Sequence, residues 1–78
     1  MEYKYITIGS TLFDGDNVRT SYGISVIQVC DGIAIVLQSV IDVSSDRESI
    51  DMLVDTCNKL ELDPLHLNDV VDDYLANL

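Results

Sequence analysis

The sequence predicts an α+β fold, a three-stranded antiparallel β-meander followed by a two-helix hairpin packed on one sheet face. Residues 2–43 are rich in Ile, Val, Thr and Tyr and contain two Gly-bearing turns, which is typical of antiparallel strands. Residues 45–78 repeat apolar side chains every three or four positions, as amphipathic helices do. We therefore expect residues 1–78 to form a single α+β domain.

The first strand is predicted at residues 2–12 and the second at residues 18–30. The segment between them, residues 13–17, is a turn cluster in which Gly15 and Asn17 tolerate a positive φ. These two strands are therefore expected to be joined at one end of the sheet.

Asp31-Gly32 lies between two β-rich runs, which indicates a two-residue hairpin turn of type I′. The third strand is predicted at residues 33–43. The turn places Cys30 opposite Ile33, and we expect the pairing to continue from there without interruption. In that register Ile33, Ile35 and Leu37 lie on the same face as Ile24 and Val26, which is the better core face.

The first helix is predicted to run from Ser45 to about Leu60, because Ser45 and Glu48 have the spacing of a capping box. Its apolar stripe consists of Ile50, Leu53, Val54, Cys57 and Leu60. Asp63 followed by Pro64 favours the start of a second helix. The stripe of that helix consists of Leu67, Val70, Val71, Tyr74, Leu75 and Leu78.

Two helices can cover only one face of such a sheet, so the other face is left with apolar side chains in water. The residues expected there are Ile27, Val29, Ala34, Val36 and Val40. Each large aliphatic side chain left in water forgoes about 1.5–3 kcal/mol of burial. We therefore expect a homodimer through this face or through an edge strand. Two alternatives remain open: the first strand folds over this face, or a bulge alters the register.

Charge divides the chain in two. The formal net charge is -10, and residues 41–78 hold ten acidic and two basic side chains against four and two in residues 1–40. The excess of acidic over basic residues excludes the basic patch of a nucleic-acid-binding domain. The 47% hydrophobic content excludes intrinsic disorder. The acidic surface of the second helix, Asp69, Asp72 and Asp73, is either a solvated face or a surface for a basic partner.

Few residues suggest a metal-binding or catalytic site. His66, Asp69 and Asp73 have the spacing i, i+3, i+7 and are weak candidates for a divalent transition metal, but they supply only part of a coordination sphere. The sequence has no phosphate-binding Gly-rich loop, and both thiols, Cys30 and Cys57, lie at positions expected to face the core. We therefore expect no enzymatic activity, no metal and no cofactor.

The apolar runs fall well short of the roughly 20 residues that a membrane span requires, and the N-terminal residues do not resemble a signal peptide. A cytoplasmic protein with reduced thiols and no membrane association is expected.

Three segments resemble a family of short uncharacterised proteins from clostridial Firmicutes, a domain of unknown function. They are Tyr22-Gly23-Ile24, IDVSSD at residues 41–46 and LDPLHLNDVVDDYL at residues 62–75. The resemblance covers about two thirds of the chain. It implies a cytoplasmic bacterial setting and a domain that is nearly the whole protein, and it assigns no catalytic residue.

The function expected from the sequence is that of a non-enzymatic protein-interaction or regulatory module that self-associates and also has a protein partner whose identity is unknown. Two alternatives stay open. One is an acidic decoy that binds a basic nucleic-acid-binding protein, and the other is a metal-responsive module.

Overall fold

The computed structural model describes residues 2–77. It contains three strands, two α-helices and a 3₁₀ turn in the order β1 (Glu2–Asp14), β2 (Asn17–Cys30), β3 (Ile33–Ser44), α1 (Arg47–Lys59), the turn Pro64–His66 and α2 (Leu67–Ala76). The strands form one antiparallel sheet in the order β1-β2-β3, and the helices pack on it. This architecture confirms the predicted α+β meander with two helices.

The two strand connections have the predicted chemistry. Asp31 and Gly32 both have a positive φ, 53° and 79°, as a type I′ turn requires. Gly15 has φ 63° in the connection between β1 and β2. Because β1 lies beside β2 in the same sheet, it widens the sheet and does not fold over it, so that alternative is wrong.

The start of α1 differs from the prediction. Its N-cap is Asp46, whose carboxylate accepts hydrogen bonds from the backbone N–H groups of Glu48 and Ser49 and from the Ser49 hydroxyl. Ser44 Oγ in turn accepts a hydrogen bond from the Asp46 N–H at 3.0 Å. A carboxylate also interacts favourably with the helix dipole, so Asp46 takes the place predicted for Ser45.

The second helix begins later than predicted. The Asp63 carboxylate accepts from the Leu65 N–H at 3.0 Å, but the turn that it caps is 3₁₀, and α2 begins only at Leu67. Leu78, assigned to the stripe of this helix, lies outside the described residues.

The core lies between the sheet and the helices. It consists of Tyr5, Ile24, Val26, Val43, Ile50, Val54, Cys57, Leu67 and Val71. Both helices contribute the predicted stripe positions, although Leu60 and Leu75 at the ends of those stripes are exposed. The face of the sheet that carries Tyr5, Ile24 and Val26 is therefore the inner face.

The register between β2 and β3 is interrupted. Pairing follows the predicted register from Cys30–Ile33 to Ile27–Val36, but Val26 then pairs with Gln38, so Leu37 is an extra residue. A second irregularity follows before Tyr22 pairs with Ser44. A bulge reverses which face the following residues occupy, so the alternative of an altered register is confirmed.

One predicted interface residue changes sides as a result. Val40 pairs with Ile24 and packs against the core. Its assignment to the uncovered face was wrong because the bulge at Leu37 shifts it to the inner face.

Candidate functional site

The sheet face opposite the helices, here called the outer face, is apolar along its middle. Its apolar members are Ile6, Ile8, Ile27, Val29, Ala34 and Val36. On β1 the same face also carries Glu2, opposite Val29, and Lys4, opposite Ile27. Four of the five predicted interface residues lie on it: Ile27, Val29, Ala34 and Val36. Val36 is 61% exposed and Val29 36%. The outer face is three strands wide, or about 14 Å.

One end of the outer face is polar and locally constrained. The Ser25 and Ser39 hydroxyls are hydrogen-bonded across the strands at 2.5 Å. Further along, Ser21 donates to Asp42 at 2.7 Å, and the Arg19 guanidinium contacts both oxygens of the same carboxylate at 3.2 and 3.3 Å. The Ser21 and Arg19 hydrogen bonds lower the pKa of Asp42. The Ser25–Ser39 pair therefore limits the apolar patch of β2 and β3 at Ile27 and Val36, and Ile8 lies beyond that pair on β1.

The first part of β3 is exposed on both faces of the sheet. Ile33 and Ile35 are on the same face as the core yet are 64% and 52% exposed, and Leu37 is 43% exposed. Together with Ala34 and Val36 they form a run of five exposed apolar residues, here called the bare segment, residues 33–37. The sequence prediction placed Ile33, Ile35 and Leu37 on the better core face, and their exposure corrects it.

Element lengths explain this exposure. The 13 residues of α1 extend about 20 Å and the 10 residues of α2 about 15 Å. The 12 residues of β3 extend about 40 Å and the 14 of β2 about 46 Å. The helices are too short to cover the sheet from end to end. These lengths predict that part of the sheet stays uncovered, but not which part.

The other end of the sheet forms a two-stranded arm, residues 10–21. It extends past the Tyr22–Ser44 pair, which is the last between β2 and β3. Phe13 and Val18 are cross-strand partners near its tip and are 77% and 62% exposed. The arm lengthens the molecule, which measures 44 Å along its longest axis.

The two edges of the sheet differ. On β1, the Asn58 side chain of α1 accepts from the Tyr5 N–H at 2.8 Å and donates to the Tyr5 carbonyl at 2.9 Å. The Thr7 hydroxyl donates to Asp51 of the same helix. Helix α1 thus occupies the β1 edge beside the core. At the β3 edge, in contrast, the Gln38 side chain donates to the Asn68 side chain of α2 at 3.0 Å.

The acidic candidates remain on the surface. Asp69, Asp72 and Asp73 are exposed on α2. His66 Nδ1 lies 3.9 Å from Asp69 Oδ2, whereas Asp73 contacts Asn77. Within residues 2–77, no three His, Cys, Asp or Glu side chains are arranged to hold a metal ion. The structure therefore does not assemble the weak metal candidates His66, Asp69 and Asp73 into a site.

A concave region of about 530 Å³ lies beside the first residues of β1 and the end of α1. Cys57 and Tyr5 are among its lining residues, but burial raises the pKa of the Cys57 thiol and, as the largest of several causes, that of the Tyr5 hydroxyl. The Tyr5 hydroxyl also donates to the Leu62 carbonyl at 2.6 Å. Both groups are protonated at neutral pH, which does not favour nucleophilic chemistry.

The cysteines are in different environments. Cys30 is exposed at the end of β2, Cys57 is buried, and both are free. No helix within residues 2–77 is long and apolar enough to span a membrane.

Comparison with known proteins identified one match at the level of families. A family of unknown function, DUF6514, matches residues 1–77. Searches among curated proteins and among solved structures found no match.

Proposed function

This chain belongs to the family of unknown function DUF6514, and from that premise we propose that it is a non-enzymatic protein-interaction module that self-associates as a homodimer. The observation that carries the proposal is the exposed apolar surface formed by the bare segment together with Ile27 and Val29 of the outer face. The proposal includes a cytoplasmic bacterial setting with reduced thiols. It also includes a regulatory role through a further protein partner.

Burial energetics support self-association. Val36, Ile33 and Ile35 are each more than half exposed, and each would gain about 1.5–3 kcal/mol if fully buried. A monomer that exposes several such side chains side by side is at risk of aggregation. A partner that covers them removes that risk.

The distribution of charge supports a second copy as that partner. Nine of the fourteen acidic side chains lie between Asp46 and Asp73, in the helices, their caps and the loop between them, and the bare segment carries no charge. Two copies that meet through the apolar surface keep most of their acids away from the contact. Two copies that met through their helices would bring like charges together.

The experiment is sedimentation velocity of the whole chain over a concentration range of about 1 to 300 µM, with Val36→Asp as the test variant. Val36→Asp introduces a charge into the apolar surface and is expected to be monomeric throughout. Val18→Asp is the matched control, since Val18 is equally exposed but lies on the arm, and it should dimerise like the wild type. A wild-type chain that stays monomeric at every concentration would contradict the proposal.

The alternative function, an acidic decoy, is tested separately from self-association. It requires binding of a basic protein to Asp69, Asp72 and Asp73, with affinity that falls as salt rises. Triple substitution of these residues by Lys should abolish such binding and leave the dimer intact.

The metal-responsive alternative requires a zinc- or manganese-dependent rise in Tm that is lost in His66→Ala.

A further inference from the structure

The bare segment is exposed at its outer edge as well as on both faces, because β3 is an edge strand. A surface that packs on the outer face would cover Ala34 and Val36 but would leave Ile33 and Ile35 in water. A strand that lies alongside β3 contacts side chains on both faces. The exposure pattern therefore favours strand addition over face-to-face packing.

The hydrogen bonds of β1 show which backbone groups point towards the open edge. Asn58 binds both the N–H and the carbonyl of Tyr5 from outside the sheet, so neither group bonds to β2. In an antiparallel ladder, hydrogen-bonded and non-hydrogen-bonded pairs alternate. Val26, the partner of Tyr5, therefore directs its own backbone groups towards β3.

The same alternation continues along β2 to β3. Gln28 lies two residues after Val26, so its backbone N–H and carbonyl also point towards β3. Its partner there is Ile35. The residues on either side of Ile35, Ala34 and Val36, consequently direct their N–H and carbonyl groups away from β2. Two donors and two acceptors are thus aligned on an open edge just before the bulge.

We propose that a second copy of this chain adds its own β3 antiparallel to this edge, with the two Ile35 residues opposite each other on the two-fold axis. Ala34 of each copy then exchanges two hydrogen bonds with Val36 of the other. Ile33 of each copy lies opposite Leu37 of the other. The product is a six-stranded sheet, and this inference rests on the proposed self-association.

This register also keeps the acidic side chains of the two copies away from the contact. Residues 33–41 are uncharged in a chain of net charge -10. The nearest acid, Asp31, is four residues from Ile35, so the two Asp31 side chains are separated by about 26 Å along the strands. A second copy supplies an uncharged strand of the same length with the same open edge.

The contact is short. Five residues a side is well below the 20–30 residues a side of a standard stable interface. We therefore expect a weak, reversible dimer, seen at high micromolar concentration.

Ala34→Pro tests the edge directly, because proline removes an N–H that β2 does not use and is tolerated on edge strands. By symmetry the dimer loses two hydrogen bonds, and its Kd should rise at least about tenfold. Ala34→Val keeps the N–H and should dimerise like the wild type. Circular dichroism of both monomers checks that the fold is retained.

A disulfide test gives the register independently of any effect on folding. In a Cys30→Ser background, Ile35→Cys places two thiols at a non-hydrogen-bonded pair, where the Cα atoms lie about 4.5 Å apart, within the range for a disulfide. It should form a cross-linked dimer on mild oxidation. Ile33→Cys is more exposed, but its two copies would lie about 13 Å apart, and it should cross-link much more slowly.

The outcomes separate the two proposals. A wild-type chain that is monomeric at all concentrations overturns both. A dimer that survives Ala34→Pro, is lost in Ile27→Asp and does not cross-link through Ile35→Cys overturns strand addition alone and assigns the contact to the outer face. Equal cross-linking at positions 33 and 35 overturns the register.

Discussion

Gly23 shows how one residue accommodates the irregular pairing of β3. A Cβ atom built on Gly23 would overlap the carbonyl oxygen of Val40 and would lie 3.0 Å from the Cα of Ile41. Both contacts are with backbone, which cannot move aside as a side chain can. The backbone of β3 therefore approaches β2 this closely only because residue 23 has no side chain.

Gly23→Ala is accordingly expected to lower the free energy of unfolding by about 1–3 kcal/mol or more, measured by urea denaturation. Gly9→Ala is the control, because a Cβ there would meet only the Tyr22 ring, at 3.6 Å. Its effect should be much smaller. Equal losses in the two variants would mean that the close approach at Gly23 is not what determines stability.

Asp42 occupies the same irregular stretch with φ 56°, a conformation that Asp and Asn tolerate better than most residues. Its carboxylate is held by Ser21 and Arg19, which lower its pKa. The unfolded chain therefore binds a proton at this residue at a higher pH than the folded chain does. The stability from this ionised group is present above the ordinary Asp pKa and is lost as the pH falls through the folded value.

The variant Asp42→Asn keeps the backbone preference and removes the charge. As the pH falls below about 4, Tm should fall less steeply for this variant than for the wild type. Asp72→Asn is the control, because Asp72 is exposed on the surface of α2, and the pH profile of this variant should follow that of the wild type. Identical slopes for Asp42→Asn and the wild type would contradict the assignment.

At the scale of elements, α1 is joined to β1 by a side chain that imitates a neighbouring strand. Asn58 supplies one acceptor and one donor to Tyr5 at 2.8 and 2.9 Å, the two bonds that a paired residue would supply. Helix and strand are thus fixed relative to each other by more than apolar packing.

Asn58→Ala is expected to lower the free energy of unfolding by about 1–3 kcal/mol, since it leaves two backbone groups of β1 without these partners. Asn58→Asp keeps the acceptor and loses the donor, so its effect should differ from that of the alanine variant. Thr56→Ala, which removes a hydroxyl bonded only within its own helix, should change stability by less than about 0.5 kcal/mol. Chemical denaturation of the three variants measures these changes. If Asn58→Ala and Thr56→Ala lowered the free energy of unfolding by the same amount, the role of Asn58 would be contradicted.

The elements also show what sequence patterns can predict. Strand order, the Asp31-Gly32 turn and the buried stripes of both helices follow from periodicity and turn chemistry, and the structure confirms them. The bulge at Leu37 does not follow, because period-2 alternation contains no signal for one extra residue. The isolated glycine at position 23 is a sequence sign of close backbone approach, but it lies beyond Ile24, the partner of Val40. It therefore does not indicate the bulge at Leu37 that moves Val40 to the inner face.

On the scale of the whole molecule, the candidate surface was predicted in part. Ile27, Val29, Ala34 and Val36 do share the outer face, because the register holds up to the bulge. The exposure of Ile33 and Ile35 on the opposite face was missed, since it depends on where two short helices end over a long sheet. Charge and the bare segment are separated in this molecule, with most of the acids on the helical layer and the bare segment uncharged.

The Asn58–Tyr5 contact has a consequence for assembly. Beside the core, the β1 edge of the sheet is already occupied by the Asn58 side chain. Under the proposed pairing each copy therefore has a valence of one, which means that it pairs with one other copy, through β3. Growth then terminates at two copies. If Asn58 were lost, the valence would rise to two, and the same strand addition that closes a dimer could propagate as an open fibre.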